Sequence, residues 1–127
     1  MRSLDPLHPK LRQAIPRILT AMGNLGYPML VTDTLRTTEE QQVLYAKGRT
    51  APGPIVTNCD GVKKRSNHQA HEDGLGHAAD LCFLVDGQAS WDARLPWKLY
   101  GLMAQTLGLT WGGSWTSLTD LPHIEVS

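Results

Sequence analysis

Three short segments, widely separated along the chain, carry histidine and aspartate side chains of the kind that bind metal ions. They are Ser66–Gln69, Gly76–Asp80 and Asp120–His123. Together they supply two imidazoles and a carboxylate suited to one zinc ion, with Asp120 left over as a second carboxylate. A catalytic zinc takes three such ligands and keeps a fourth position for water, whose pKa it lowers to about 7. A fold that uses these groups for one ion must bring the middle of the chain next to residues 120–123.

Two of the three segments lie in sequence that is typical of strands. The run His77–Val85 and the run His123–Val126 both fit extended chain, in which successive side chains point to opposite faces. We therefore expect Asp80 and His123 to be presented from a sheet, which is a rigid platform for metal ligands. On the same pattern His77 and Asp80 project to opposite faces, so they should not share one metal. His77 is expected to be a strand-end histidine near the mouth of the site.

Apolar residues at helical spacing predict two core-packing helices. The first stripe, which Gly26 ends, consists of Leu11, Ile15, Ile18, Leu19, Met22 and Leu25. The second, which Gly108 ends, consists of Trp97, Tyr100, Met103, Ala104 and Leu107. Pro16 interrupts the first stripe, so the regular helix either begins near Pro16 or kinks there. His8, ahead of Pro9, is expected to be an exposed cap residue.

The sequence between these helices predicts a strand, a short helix and a long loop. Met29–Thr32 is typical of a short strand. Thr37 or Thr38, with Glu40 or Gln41, resembles the capped start of a helix that carries Gln42–Lys47. Gly48–Asn67 has no sustained period, and long irregular stretches in small domains are often functional. These elements indicate an α+β fold in a single domain over residues 1–127, with a small antiparallel sheet that carries the metal ligands and packs with helices.

The metal-binding segments resemble the motifs of the VanY-like zinc peptidases. That family includes D-alanyl-D-alanine carboxypeptidases and the L-alanyl-D-glutamate endopeptidases that serve as phage endolysins. In it a Ser-x-His segment leads into Gly-x-Ala-x-Asp, and a later acidic-x-x-His segment completes the site. The resemblance implies zinc (Zn2+) as cofactor, with His68, Asp80 and His123 as its ligands and Asp120 as the catalytic base. It also implies a fold like that of Hedgehog and D,D-peptidase domains.

The resemblance extends upstream, so that it covers most of the chain. Leu35–Gln41 and Gly48–Thr50 look like the family's arginine-containing helix start and Gly-Arg-Thr turn. This implies that Arg36 faces the substrate, where a guanidinium can bind a carboxylate or stabilise a developing oxyanion. Gln41 and Ser66 are interpreted as substrate-binding or supporting hydrogen-bonding groups.

The interval between His68 and Asp80 is longer here than in the common form of the family pattern. The extra residues, around Ala70–Gly74, look like a loop insertion and bring His71 as a competitor for the first ligand position. His68 is preferred because the Ser-x-His match includes Ser66, and because Gln69 follows as it often does in relatives.

The predicted function is that of a zinc metallopeptidase that hydrolyses the stem peptide of peptidoglycan. The bond expected to be cleaved joins L-alanine to D-glutamate, as in a phage or prophage endolysin that lyses its host. One alternative is a D-alanyl-D-alanine carboxypeptidase, and another, from a different class, is a non-catalytic peptidoglycan-binding module. Intact Asp120 argues against the binding module, which has no need of a base.

Composition limits the other classes of function. Twelve basic and twelve acidic residues balance, so no nucleic-acid partner is expected. No apolar run is long enough for stable membrane insertion, and no signal peptide is seen, so the protein is expected in the cytoplasm before release to the cell wall. A monomer is expected because no heptad or repeat demands assembly. Trp111 and Trp115 are interpreted as core or cleft-wall residues.

Overall fold

The computed structural model describes residues 2–127 as three α-helices and five strands, with one short 3₁₀ helix. The helices are α1 (Pro9–Asn24), α2 (Thr38–Ala46) and α3 (Trp97–Thr106), and the 3₁₀ helix spans Gly112–Ser114. The strands are β1 (Met29–Asp33), β2 (Ala78–Val85), β3 (Gln88–Ser90), β4 (Thr110–Trp111) and β5 (His123–Glu125). The fold class is therefore α+β, as predicted.

All five strands form one antiparallel sheet with β2 at its centre. The order is β1-β2-β5-β4, and β3 pairs with the far end of β2. The register sets Asp80 opposite Asp33 on β1 and opposite His123 on β5. Three polar residues thus lie side by side across the sheet, which confirms that Asp80 and His123 are presented from strands. The short strands β3 and β4 were not predicted.

Helix α1 begins earlier than Pro16, so the interpretation that the helix starts near that proline is wrong. Pro9 occupies the first turn, and the side chain of His8 caps the helix by accepting a hydrogen bond from Lys10 N. Pro16 has no N–H to donate to the carbonyl of Arg12. Because Pro16 lies on the exposed face of the helix, water can donate a hydrogen bond to that carbonyl instead. The buried face consists of Leu11, Ala14, Ile15, Ile18 and Met22.

The other two helices follow the predicted signals. Thr37 and Glu40 form a reciprocal capping box at the start of α2, which fixes the backbone directly after Arg36. Helix α3 buries Trp97, Tyr100 and Ala104. It joins α1 and the sheet in one apolar core, with α1 against β1 and α3 against β4.

The segment between α2 and β2 is irregular, as predicted, and the turn after β2 is tight. Asp86 and Gly87 both have positive φ, of 53° and 77°, as a two-residue hairpin turn requires. Among the described residues 2–127, no helix has the length and apolar character needed to cross a membrane.

Candidate metal centre and cleft

His68, Asp80 and His123 converge at one point above the sheet. His68 Nε2 lies 3.3 Å from Asp80 Oδ1, and His123 Nδ1 lies 3.4 Å from the same oxygen. The two imidazole rings are nearly perpendicular, with centroids 5.0 Å apart. Each residue offers one ligand atom, and these atoms all lie within 4.8 Å of one another. The structure therefore brings together the three residues that the sequence motifs single out.

His68 is held by a tight turn rather than by a strand. Ser66 Oγ accepts a hydrogen bond from His68 N, and Ser66 N donates to Gln69 Oε1. Gln69 is buried and donates through Nε2 to Gly61 O, which anchors the turn to the long loop. Arg36 N donates to His68 O over 2.8 Å, so the turn is also tied to the start of α2.

Each imidazole is oriented by a hydrogen bond on the side away from the cluster. His68 Nδ1 donates to the carbonyl of Thr34 over 2.9 Å, which leaves the lone pair on Nε2. His123 Nε2 donates to Glu125 Oε1 over 2.7 Å, so Nδ1 is the ring nitrogen that faces the cluster and can act as the ligand atom. Glu125 is held in turn by Asn67 Nδ2, 2.7 Å from its second oxygen. Outer partners of this kind fix the tautomer of metal-ligating histidines.

The donor set fits a divalent metal such as zinc. His68 Nε2 and Asp80 Oδ1 are both buried and have no hydrogen-bond partner. Buried polar atoms are almost always paired, because leaving one unpaired destabilises the fold by about 1–3 kcal/mol. A cation between the two imidazoles and the carboxylate would be coordinated by one atom of each side chain. Two histidines with one carboxylate form a known set of ligands for catalytic zinc.

The ionisation of the cluster favours a bound cation. Burial opposes the charge on Asp80, but the nearby imidazoles of His68 and His123 outweigh burial and hold the pKa of Asp80 well below its usual range. Burial likewise opposes protonation of His123, yet the neighbouring carboxylates of Asp80 and Glu125 raise the pKa of His123 to about 9. The carboxylates therefore attract positive charge to the position between the rings.

Asp120 lies beside this cluster and faces the solvent. Its Oδ2 is 3.8 Å from His123 Nδ1, and its side chain is 41% exposed. Burial, together with the charge of Asp80, raises the pKa of Asp120 above its usual value. The turn from Asp120 to His123 packs closely on Gly112, where an added Cβ would lie 2.5 Å from Asp120 O. The location suits a group that exchanges protons with a substrate at the metal.

Arg36 lies on the other side of Asp80 and is largely buried. Its Nε and Nη2 donate to Asp33 Oδ2, its Nη1 donates to Gln41 Oε1 over 2.8 Å, and its Nη2 is 3.7 Å from Asp80 Oδ2. Of the five N–H groups of a guanidinium, three are used in this way. The remaining two are available to a ligand in the cleft.

Gln41 does not line the cleft, which favours the supporting role over the substrate-binding role among the two that were predicted for it. Its side chain is fully buried. Its amide nitrogen donates to Thr57 Oγ1 and Cys59 O, and its amide oxygen accepts from Arg36. Because every polar atom of Gln41 is used inside the protein, its role is to position Arg36 and the loop at 57–59.

An open cleft of about 740 Å³ surrounds the cluster. Ser66, Asp120 and Arg36 line it together with the three converging residues. Its walls are parts of the long loop, residues 55–59 and 64–67, and the segment 115–120. The ring of Trp115 lies 5.0 Å from that of His123 and forms part of the wall. Trp111 instead is buried in the core, with its indole N–H donating to Leu121 O.

His71 and His77 lie outside this cleft. His71 is exposed and stacks on the ring of His77, so the structure does not bring it to Asp80. His77 precedes β2 and bonds to Asp73, away from the cleft mouth where it was expected. This expectation was wrong because the ring of His77 faces Asp73 and packs edge-on against His8 at the start of α1, with His71 stacked on it.

The sequence motifs missed three residues that support the site. Asp33 holds Arg36, Glu125 holds His123, and Asn67 holds Glu125. The alternation of β5 offers one signal, because Glu125 is two residues after His123 and shares its face. The spacing of Asp33 and Arg36 offers no such signal, because the contact depends on the turn between β1 and α2.

Comparison with known proteins supports the same chemistry. Residues 60–126 match the family model Peptidase_M15_4, described as D-alanyl-D-alanine carboxypeptidase. The peptidoglycan L-alanyl-D-glutamate endopeptidase CwlK of Bacillus subtilis is 33% identical over 129 residues, which cover 94% of this chain and 73% of CwlK. The L-alanyl-D-glutamate peptidase of Listeria phage A118 is 24% identical over 98% of this chain, which spans only 40% of the phage protein.

Two solved structures share the fold. The L-Ala D-Glu endopeptidase ChiX of Serratia marcescens has a TM-score of 0.69 and 24% identity, covering 98% of this chain and 83% of ChiX. The vancomycin-resistance D,D-pentapeptidase VanY, solved as an E175A mutant with Zn(II), has a TM-score of 0.62 and 18% identity, covering 94% and 72%. The family match over more than half of the chain, together with the Bacillus relative, confirms the resemblance seen in the motifs: this chain belongs to the Peptidase_M15_4 family of zinc peptidases.

Proposed function

We propose that this protein is a zinc-dependent peptidoglycan endopeptidase that hydrolyses the bond between L-alanine and D-glutamate in the stem peptide. The observation that carries the proposal is the cluster of His68, Asp80 and His123 at the base of an open cleft, with two buried ligand atoms that lack any hydrogen-bond partner. The bond is proposed from the Bacillus and Listeria phage relatives, both of which are named for this cleavage.

The metal ligands are proposed to be His68 through Nε2, His123 through Nδ1, and Asp80. The chemistry that zinc supplies in such a setting is Lewis acidity towards the scissile carbonyl and a lowered pKa of water. Thr34 and Glu125 keep the two rings in the tautomers that this arrangement requires.

Asp120 is proposed to move the protons. Its carboxylate lies beside the cluster and is open to the cleft, so it can accept a proton from the attacking water. The same carboxyl group then delivers the proton to the departing amine of D-glutamate. One residue thus serves first as general base and then as general acid.

Arg36 is proposed to stabilise negative charge on the substrate. The carboxylate of Asp33 and the amide of Gln41 hold the guanidinium in one orientation before a substrate arrives. Its two remaining N–H groups can donate to the carbonyl oxygen as charge develops there, or to a substrate carboxylate. Ser66, which lines the cleft, is proposed to contact the substrate backbone as well as to hold the turn of His68.

The charge and size of the cleft suit a stem peptide. Arg36, Lys64 and Arg65 line the cleft, and a stem peptide carries free carboxylates. A volume of about 740 Å³ lies in the range of clefts that bind short peptides or similar ligands. The irregular loop at 55–59 then forms one wall against which the peptide lies.

A second candidate, the removal of the terminal D-alanine, is favoured by the description of the family model and by the fold shared with VanY. The two reactions differ in product. Endopeptidase action exposes a new amino terminus on D-glutamate, whereas carboxypeptidase action releases free D-alanine.

The experiment is digestion of purified peptidoglycan, with products read by mass spectrometry and amino-terminal labelling. We expect new D-glutamate amino termini, their loss with a chelator, and their return when zinc is added. Free D-alanine would instead establish the carboxypeptidase. An inactive, zinc-loaded protein that pellets with cell walls would establish a binding module.

Two variants separate metal binding from proton transfer. Asp120→Asn should keep the zinc of the cleft and lose activity by about 10² to 10⁴, whereas His123→Ala should lose both the zinc of the cleft and the activity. Asp86→Asn, which removes a carboxylate at the exposed hairpin turn, serves as the control and should behave as the wild type.

We also propose that the protein acts in host lysis, because one relative is a peptidase of a phage. The monomeric state and the cytoplasmic location before release are proposed from the sequence. Cells that express it should then stay intact until their membrane is permeabilised, and lyse afterwards. Lysis without permeabilisation would contradict this role but not the proposed cleavage.

A further inference from the structure

A second group of metal-binding side chains lies outside the cleft. One ligand atom from each of His8, Asp73 and His77 lies within 4.8 Å of the others. His77 Nε2 is 2.8 Å from Asp73 Oδ2, and the rings of His8 and His77 are 4.8 Å apart in an edge-on arrangement. His71 stacks on His77 with centroids 3.7 Å apart and an interplanar angle of 8°. None of these four residues lines the cleft.

The backbone around this group is fixed by hydrogen bonds. His8 N donates to Gly76 O and Gly76 N donates to Pro6 O, both over 2.9 Å, so the start of α1 is paired to the inserted loop. His71 N donates to Leu75 O and closes the loop on itself. His77 is tied on both sides, through its N–H to Asn67 O and through its carbonyl to Val126 N. The three side chains are therefore gathered by ordered main chain.

We propose that His8, Asp73 and His77 form a second metal site, for a divalent transition ion such as zinc. Two imidazoles and a carboxylate are suited to zinc, and also to copper or nickel, but not to magnesium or calcium, which prefer oxygen ligands. An ion bound at His77 Nε2 takes the place of the hydrogen that this nitrogen now shares with Asp73 Oδ2, and the proton of the neutral ring then lies on Nδ1. Parallel stacking of the His71 ring on His77 restricts the His77 ring to the orientation that faces Asp73.

This site is the weaker of the two metal sites. Nδ1 of His8 accepts the hydrogen bond from Lys10 N that caps α1, and a neutral imidazole has only one lone pair. Coordination by His8 therefore competes with the cap, whereas the ring nitrogens of His68 and His123 that face the cleft cluster accept no hydrogen bond. Asp73 is also solvent-exposed, with 40% of its side chain accessible, while the ligand atoms of the cleft are buried.

Occupation of the site links two parts of the chain that matter to the cleft. The connection from His68 to Asp80 contains both Asp73 and His77, and His8 belongs to the segment that precedes α1. An ion here joins that connection to the helix and stabilises the folded state by mass action. The proposal does not depend on the reaction catalysed in the cleft.

The test is zinc stoichiometry of untagged protein by equilibrium dialysis and elemental analysis. We expect two zinc ions per chain for the wild type at saturation, with the second binding more weakly. Asp73→Asn should bind one, and His123→Ala should bind one at the outer site. Glu72→Gln, which removes the neighbouring exposed carboxylate, should still bind two.

A thermal melt provides a second readout that does not use activity. With the first site already filled, excess zinc should raise the Tm of wild type and Glu72→Gln but not that of Asp73→Asn. Asp73→Asn should also cleave peptidoglycan at the wild-type rate. A wild type that saturates at one zinc, or an Asp73→Asn variant that binds as much zinc as wild type, would overturn the second site. Absence of cleavage by the wild type would bear only on the proposed function.

Discussion

His68 Nε2 and Asp80 Oδ1 face each other across 3.3 Å in the base of the cleft, both shielded from water and neither hydrogen-bonded. The two atoms come from unlike structures, one from a tight turn and the other from the central strand. Each residue is otherwise well supported, since His68 donates to Thr34 O and Asp80 is paired to β5. A cation bound between His68 Nε2 and Asp80 Oδ1 would give both atoms the partner that they lack.

Glu125→Ala should weaken zinc binding by about 10-fold to 100-fold, although Glu125 does not contact the metal position. The change removes the acceptor for His123 Nε2, so the proton is free to move to Nδ1 and block the ligand atom. Competition with a coloured chelator measures the affinity. Glu39→Ala, at an exposed position of α2, is the matched control and should bind zinc normally. Equal affinity in both variants would show that Glu125 does not set the tautomer.

Arg36→Lys should keep zinc and lower kcat/KM by a factor on the order of 10². Lysine retains the charge but cannot contact Asp33 and Gln41 at the same time while still offering donors to the cleft. Steady-state hydrolysis of a synthetic stem peptide, with zinc content measured in parallel, checks this. Arg17→Lys on the exposed face of α1 is the control. If Arg36→Lys cleaves as fast as Arg17→Lys, the guanidinium has no part in catalysis.

Gly112→Ala should destabilise the protein by about 1–3 kcal/mol and reduce both zinc affinity and activity. The added Cβ would meet Asp120 O at 2.5 Å and His123 Cβ at 3.0 Å, so the turn that carries the base and a ligand must shift. Gly23→Ala makes the same chemical change in α1, where nothing lies within 4 Å. That variant should gain helix propensity and leave the cleft unaffected. Urea unfolding and zinc titration distinguish the two, and an undisturbed Gly112→Ala would contradict the close packing described.

The sequence predicted those features that depend on local pattern. The apolar stripe from Trp97 to Leu107, the Thr37 capping box and the strand-type run around Asp80 each specify their own element, and the structure confirms the three elements. The tight turn at Asp86 and Gly87 is likewise a local feature, because aspartate and glycine tolerate the positive φ that it requires.

Features that depend on distant contacts were not predicted. Strand β4 has two residues and exists because β5 pairs with it, so no periodicity could reveal it. Asp33 contacts Arg36 through the turn between β1 and α2, and that turn is held by the distant hydrogen bond from Arg36 N to His68 O. His8 and His77 are far apart in sequence, and their contact requires the inserted loop to pair with the start of α1. Periodicity could not predict which residues share the metal site. Similarity to the family motifs did, because it assigned His68, Asp80 and His123 to one site before the fold was known.

The most direct test of the account is an anomalous difference map, recorded above and below the zinc absorption edge from crystals grown with zinc. We predict a strong peak at about 2.0–2.2 Å from His68 Nε2, His123 Nδ1 and an oxygen of Asp80, and its disappearance in His123→Ala crystals. A map from zinc-replete, active protein with no peak between these three atoms would contradict the central claim.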